Sequence, residues 1–540
     1  MNPDQNSARA KNKISTFSVV AMIYSIIASG AFGIEEMIPE CGPGMSLILL
    51  AVLALVFALP FGLLCAEAGS ARPGEGGSLI WVKEALGEFW FGIMVIIQAI
   101  WSLLCNTIYI VLSVDYLGHL FPMDEKAQLL VKIGFVLIFF TVNILGIKES
   151  SRVSTALFIS IIVVFLFATV IGFINFRYNP FVPMFSGEYD NAFQHIGSGF
   201  AIAMWMYAGF DELSVLSGEI KDSNKIIPRA IMITVPLLAL SNILPTMAGL
   251  SSVGQWQNWT TDINGVGYIS ILKNFVGPAA AAVFILIAVF CKLSTFNVIL
   301  ATGSRCIMVL SEEHFGPAFL SEKQTKKNVP YISLIIVSIF TLLLIPFSFR
   351  ALVVLDVFFT IMVTGLTLAA IWVLRRRLDK SEYGFRIAGG DTVHSMLCFM
   401  VFAVCLFGVL VNGCEWYLGG LLWTCSIPII YCISKILFKG CSKNDAESYP
   451  INPKTRLGFG DLKRIGFFYA VLGAFAVCSR YFIQWYEGSW AEEYYLETYK
   501  TGLFSDFGRM LSAISLTGYI CIAAGAVLLA VTFTNRKSNL

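Results

Sequence analysis

Fourteen stretches of mostly apolar residues follow one another along the chain, and this succession constrains the fold more than any single motif. A helix needs about 20 such residues to cross the hydrocarbon core of a bilayer. Approximate limits are 16–39, 44–66, 89–118, 127–147, 152–175, 192–217, 227–251, 278–303, 329–347, 351–374, 393–413, 416–437, 463–483 and 509–533. The runs are long and continuous, whereas barrel strands would be alternating segments of about ten residues. The predicted fold class is therefore an all-α polytopic membrane protein with about 14 transmembrane helices. Composition agrees, with 57% hydrophobic and 13% charged residues against about 25% charged in soluble domains. Such a chain has too few charges to cover a water-soluble surface. A secreted disulfide protein, a disordered chain, a nucleic-acid binder and a soluble enzyme are excluded as classes.

Loop charges set the orientation. With the N-terminus in the cytoplasm, 28 of the 37 Lys and Arg residues fall inside, including Arg375, Arg376 and Arg377. One missed helix would invert that pattern, so a multi-pass protein of the plasma membrane with both termini in the cytoplasm is expected. Asn258-Trp259-Thr260 then falls outside as a glycosylation acceptor, a tripeptide common by chance. The first fifteen residues are polar and basic and lack the apolar core of a signal peptide. Thirteen Cys contain no CxxC and the four His are scattered, so no metal or cofactor is expected.

The informative anomaly lies in the first span. Ala28-Ser29-Gly30-Ala31-Phe32-Gly33-Ile34-Glu35-Glu36 puts two glycines and a serine near mid-membrane and two carboxylates just after them. Glycine weakens a helix interior by about 1 kcal/mol relative to alanine. Acids at membrane depth cost several kcal/mol more unless they face water or a partner. Five spans later, Tyr207-Ala208-Gly209-Phe210-Asp211-Glu212 repeats the break. Interrupted segments at matching places in two halves mark an inverted-repeat transporter with a midplane site. Half-helix N-termini there attract an anionic group, and free carbonyls attract a cation. Close packing of glycine is the other reading of either break alone.

At these residues the chain resembles the amino acid–polyamine–organocation superfamily. Ser29-Gly30-Ala31-Phe32 resembles its G-S-G-(I/V)-F motif, and Trp205-Met206-Tyr207-Ala208-Gly209-Phe210-Asp211 its W-x-F-x-G-x-E stretch. Pro73-Gly74-Glu75-Gly76-Gly77-Ser78-Leu79-Ile80-Trp81 resembles the motif after span 2. Gly218-Glu219-Ile220-Lys221 through Pro228-Arg229-Ala230-Ile231 resembles the one after span 6. The likeness covers roughly residues 15–437. It implies a LeuT-like core of five plus five helices over 16–374, preceded by a cytoplasmic tail at 1–15. Helices 11 and 12 follow at 375–437, then a cytoplasmic linker at 438–462 and two extra helices with a tail at 463–540.

Two branches are similar at particular residues. Likeness to the bacterial arginine/agmatine exchanger implies that Ala28, Ser29 and Gly30 receive a substrate carboxylate, and that Ala208 and Gly209 receive its amine. It also implies that Asn106, Tyr109 and Trp205 line the site, with Trp205, Asp211 and Phe296 as gates. The polyamine uptake permeases are similar at Phe32-Gly33-Ile34-Glu35-Glu36 and at Cys105-Asn106 through Asp115-Tyr116-Leu117. Cys105 and Asn297 stand where those permeases carry acids, so two anionic partners for a polycation are missing. Glu35, Glu36, Asp211 and Glu212 still supply negative charge.

Two further charges lie within spans. Lys292, halfway along span 8, is either a coupling group or a long side chain that snorkels to an interface. Asp356 in span 10 is either part of an outer gate or a helix-end charge. No repeated filter, signalling domain, nucleophile–base pair or Walker sequence supports a channel, receptor, enzyme or ATP-driven pump. The expected function is secondary active transport of a cationic or neutral amino acid by symport or exchange, with polyamine uptake as the alternative. Expected partners are the small-molecule substrate, protons and the lipid bilayer, with no nucleic acid, in a monomer or homodimer.

Overall fold

The computed structural model describes residues 16–27, 30–73, 77–145, 151–187, 189, 192–210, 223–262, 265–322, 329–438, 451–453, 455–488 and 490–534. Helices occupy all fourteen predicted stretches, and the described residues hold no strand, only isolated bridges at Trp259–Val266 and Ile451–Gly458. In chain order the helices are α1 (Thr16–Ile27), α2 (Ile38–Cys41), α3 (Pro43–Leu53), α4 (Leu59–Ala71), α5 (Ser78–Leu86), α6 (Glu88–Leu104) and α7 (Asn106–Gly118). Next come α8 (Glu125–Ile144), α9 (Ser151–Ile174), α10 (Ala192–Trp205), α11 (Ser223–Ser252), α12 (Tyr268–Phe275), α13 (Pro278–Glu312) and α14 (Tyr331–Leu344). The last are α15 (Phe349–Arg377), α16 (Gly390–Val411), α17 (Cys414–Phe438), α18 (Asp461–Glu487), α19 (Trp490–Tyr499) and α20 (Phe507–Thr534). A π-helical turn at Ala54–Ala58 joins α3 to α4, and α6 meets α7 at Cys105.

Among the described residues, eleven spans are long and apolar enough to cross a membrane unaided. The other three predicted stretches are the interrupted ones, at α1–α2 and at α10, and the short α14. Proline sets the limits of α14. Pro330 precedes it, and Pro346 lacks the N–H that would continue the ladder, so the helix ends although Ile345 still has helical φ and ψ. α13 runs past its predicted limit at 303 to Glu312, because its last turns carry Arg305, Ser311 and Glu312 and do not read as membrane.

Leu130 and Phe399 are among the most exposed side chains, as expected where lipid replaces water as solvent. Only Val136 of α8 is buried, so that helix is peripheral. The core is built around α13, packed on α6, α7 and α14, with α11 on α1, α4 and α9, and α15 on α5, α6, α10 and α16. The two last spans close on each other through small residues. A Cβ at Gly473 would stand 2.5 Å from the Gly518 carbonyl, and one at Gly525 would stand 2.7 Å from that of Gly466. The α18 and α20 backbones therefore approach as glycine-lined membrane helices do. With α17 and α19 they enclose a second core that includes Leu418, Ile483, Tyr495 and Ile514.

Candidate substrate site

The first break is held open by backbone geometry. α1 stops at Ile27, Gly30 and Gly33 have φ of 103° and 94°, and helix resumes as a 3-10 turn at Ile34–Met37 leading into α2. A Cβ at Gly33 would stand 2.5 Å from the Phe349 ring. Glycine meets both demands, a left-handed φ and a close neighbour. Glu35 is buried at 1% exposure. Its Oε2 accepts from the Gly33 N–H at 3.0 Å, and its Oε1 accepts from the Tyr116 hydroxyl at 2.5 Å. A carboxylate thus caps an unwound segment, a charge-assisted arrangement stronger than a neutral bond. Ala28 and Ser29 lie outside the described residues.

The second break faces the first. α10 ends at Trp205, and the chain tightens through a Tyr207 N–H to Met204 carbonyl bond of 3.0 Å. It then leaves helical geometry at Ala208 and Gly209, where φ is 104°. A Cβ at Gly209 would stand 3.8 Å from Ile27, an ordinary van der Waals distance, so the last residue of α1 lies against the sixth-span break. Asp211, Glu212 and the Gly218–Lys221 motif lie outside the described residues.

Rings and one cation connect the two breaks. The Trp205 ring packs 6.0 Å from Tyr109 and 5.6 Å, edge-on, from Phe349. Lys292 lies 5.3 Å from the Phe32 ring and 5.7 Å from that of Trp205, with no exposed surface. Its ammonium group ends inside the protein between the two broken segments, not at an interface.

The other predicted residues divide into those beside this cluster and those held elsewhere. Asn106 is buried and donates to the Ser102 carbonyl at 2.6 Å, while its Oδ1 has no protein partner among the described residues. Glu36 is engaged by an outlying loop, its Oε1 accepting from Thr260 Oγ1, the Thr261 N–H and Thr261 Oγ1 at 2.7, 2.6 and 2.7 Å. Asp356 accepts from the Trp101 indole at 2.9 Å. Phe296 packs on Phe139 of α8, and the ring over Trp205 is Phe349, which no sequence signal marked. Among the described residues no group of His, Cys, Asp and Glu forms a metal site.

Ion pairs that sequence reasoning did not single out tie the two ends of α15. At one end Arg350 pairs with Glu40, just beyond the first break. Glu40 also accepts from the Tyr189 hydroxyl at 3.0 Å, and Tyr189 packs edge-on against Trp490 of α19. At the other end buried Arg375 donates to Glu67 of α4 at 2.5 Å and to Asp391 of α16 at 2.8 Å. Their only sequence signal is charge near span ends.

An all-helical membrane protein with two facing interruptions and a mid-membrane cation has the parts of a small-molecule carrier. The profile of the amino acid permease family matches residues 14–424, and the chain belongs to that family. It is 23% identical over 396 residues to a probable polyamine transporter of Arabidopsis thaliana, covering 72% of this chain and 77% of the relative. It is 24% identical over 364 residues to a polyamine transporter of Oryza sativa subsp. japonica, covering 66% and 65%. It is also 24% identical over 357 residues to the large neutral amino acids transporter small subunit 2 of Homo sapiens, covering 63% and 65%. The matched residues stop short of α18 and α20.

Proposed function

We propose that this protein is a secondary active transporter that carries a cationic or neutral amino acid across the plasma membrane by alternating access. The observation that supports this most is the facing of the two breaks, with a Cβ at Gly209 coming within 3.8 Å of Ile27 and Trp205 ending the helix before the second break. The backbone of the first break, at Ala28, Ser29 and Gly30, binds the carboxylate. Free carbonyls near Ala208 and Gly209 bind the amine. Trp205 closes over the substrate with Phe349, and Asp211 completes the gate. Lys292, the ammonium between the breaks, is the group on which proton coupling turns. Both termini lie in the cytoplasm, and residues 16–374 form the moving core. The Glu40–Arg350 and Glu67–Arg375 pairs tie α15 to the first two spans at opposite ends, where an outer and an inner gate would open in turn.

Polyamine uptake is the second reading. It is favoured by the relatives named as polyamine transporters and by the acids of the first break. Counterflow into proteoliposomes with labelled arginine, lysine, glutamate, leucine, putrescine and spermidine separates the two. Accumulation of an amino acid, lost in Trp205→Ala, supports the first reading. Accumulation of putrescine or spermidine alone supports the second.

A further inference from the structure

We infer that the groove between α3, α10 and α16 binds one anionic phospholipid, with its headgroup on Arg376 and its acyl chains along α16. None of the lining residues belongs to either break, so this site is separate from the proposed substrate site.

Three observations carry it. The first is size and lining. The groove holds about 1350 Å³, above the roughly 300–1,000 Å³ of ordinary small-molecule sites. Its lining residues on α16 run from Asp391 to Phe407, a length of about 24 Å along a helix. One leaflet of the hydrocarbon core is about 15 Å thick, so an acyl chain fits lengthwise. The walls are mostly apolar, with Ile48 and Val52 on α3, Phe193 and Phe200 on α10, and Phe399 and Phe407 on α16. Such walls suit acyl chains, whereas an amino acid would lose its hydration there without gaining partners.

The second is charge. The only charged lining residues are Arg376 and Asp391. Asp391 accepts from Arg375 at 2.8 Å and from Arg386 at 3.2 Å, so two guanidinium groups of the protein already meet its charge. Arg376 lies over the Trp372 ring, 3.4 Å from its centroid, and among the described residues no carboxylate pairs with it. The surplus at this end is positive, and a guanidinium recognises a phosphate through paired N–H donors.

The third is position. α15 ends on Arg375, Arg376 and Arg377, and α16 begins at Gly390 after a segment that carries Lys380 and Arg386. This charged segment places the basic end of the groove at a membrane surface, where basic pockets between helices take anionic headgroups. The apolar length of α16 runs from there into the bilayer. Phe200 stands on α10 before Trp205, so the bound lipid lies against the helix that leads into the second break.

The test is photolabelling of the full-length protein in phosphatidylcholine vesicles. The vesicles carry a small fraction of diazirine-tailed phosphatidylglycerol, or of diazirine-tailed phosphatidylcholine in its place, and crosslinked peptides are identified by mass spectrometry. The expected result is about fivefold stronger labelling of α3 and α16 by phosphatidylglycerol, the factor that one cation near the surface contributes. Arg376→Gln brings the two lipids to within about twofold. Ala403→Trp puts an indole into the groove and lowers labelling by both.

Equal labelling of α3 and α16 by the two lipids in the unaltered protein means bulk or uncharged lipid in the groove and overturns the inference. So does a phosphatidylglycerol excess confined to other helices, and so does an excess that Arg376→Gln leaves intact. Absence of label from both helices, as when a second copy covers the groove, overturns it as well. The comparison in the unaltered protein decides the matter even where a variant does not fold.

Discussion

The Lys292 ammonium stands 5.7 Å from the Trp205 ring, which places the one described cation of the α13 interior at the edge of the sixth-span break. The same ammonium is 5.3 Å from Phe32, between the two left-handed glycines of the first break. Two interruptions distant in sequence are therefore linked through one side chain of a third helix. In the proposed function the substrate, the aromatic gate and Lys292 share a single centre.

The two breaks differ in how much room they leave, and substitutions should reveal it. Gly33→Ala places a methyl 2.5 Å from Phe349 at a φ of 94°, whereas Gly209→Ala has its nearest neighbour at 3.8 Å at a φ of 104°. Both pay the left-handed cost of about 1–2 kcal/mol, and only the first adds a clash. Melting of the purified variants should fall further for Gly33→Ala, and equal melting points would contradict this account.

Glu67 and Arg375 form a buried pair, with side-chain exposures of 1% and 3%. Glu67 also accepts from the Ile387 N–H at 2.7 Å, so one carboxylate ties α4, α15 and the segment before α16. Removing one member strands the other, which costs about 3–5 kcal/mol. Arg375→Met and Glu67→Leu should each lower the melting temperature strongly, and the double variant should recover part of the loss. A double variant as unstable as the sum of the two singles would argue against coupling.

The outlying helix α19 is pinned by one hydroxyl. Tyr495 Oη lies 2.5 Å from Glu415 Oε2 and 2.9 Å from Glu487 Oε2, and it accepts from the Cys414 N–H at 3.0 Å. Tyr495→Phe leaves these buried groups short of a partner, at about 1–3 kcal/mol. Cleavage by trypsin after Lys500 should quicken as α19 loosens. Unchanged cleavage would mean that packing alone holds α19.

His119 lies just past α7, with Nε2 3.2 Å from the Thr261 carbonyl. Burial holds its pKa below the ordinary 6.5, outweighing the carbonyl, which favours the cation. The unfolded chain therefore takes up this proton at a higher pH than the folded one. Above about pH 6.5 both states are neutral, and as the pH falls the unfolded state is favoured. Melting should drop less between about pH 7.5 and about pH 5.5 in His119→Gln than in the unaltered protein. An equal drop in both would contradict the assignment.

Much of this architecture was legible in the residues. Apolar run length located all fourteen stretches, and the glycines at 30, 33 and 209 marked the breaks because left-handed φ falls to glycine. Distance in space was not legible. Phe349 covers Trp205 only because α15 begins beside the first break, and nothing near residue 349 signals that. Glu36 looked like substrate charge, yet it binds a loop more than 200 residues away. Phe296 turned toward Phe139 because α8 packs on that side of α13. α19 carries four tyrosine and tryptophan rings and three acids in ten residues, so no apolar run marks it as a helix.

The central claim is that substrate occupies the space between the two breaks, and alkylation of Ala208→Cys tests it most directly. Ala208 lies in the second break and is half-buried, whereas native Cys478 is exposed elsewhere on α18. Labelling by a small maleimide is read peptide by peptide by mass spectrometry, with and without a saturating transported amino acid. This account predicts at least about tenfold slower labelling at position 208 in the presence of substrate, and unchanged labelling of Cys478. Equal labelling at position 208 with and without substrate, in a variant that still binds it, would place the substrate elsewhere and contradict the account.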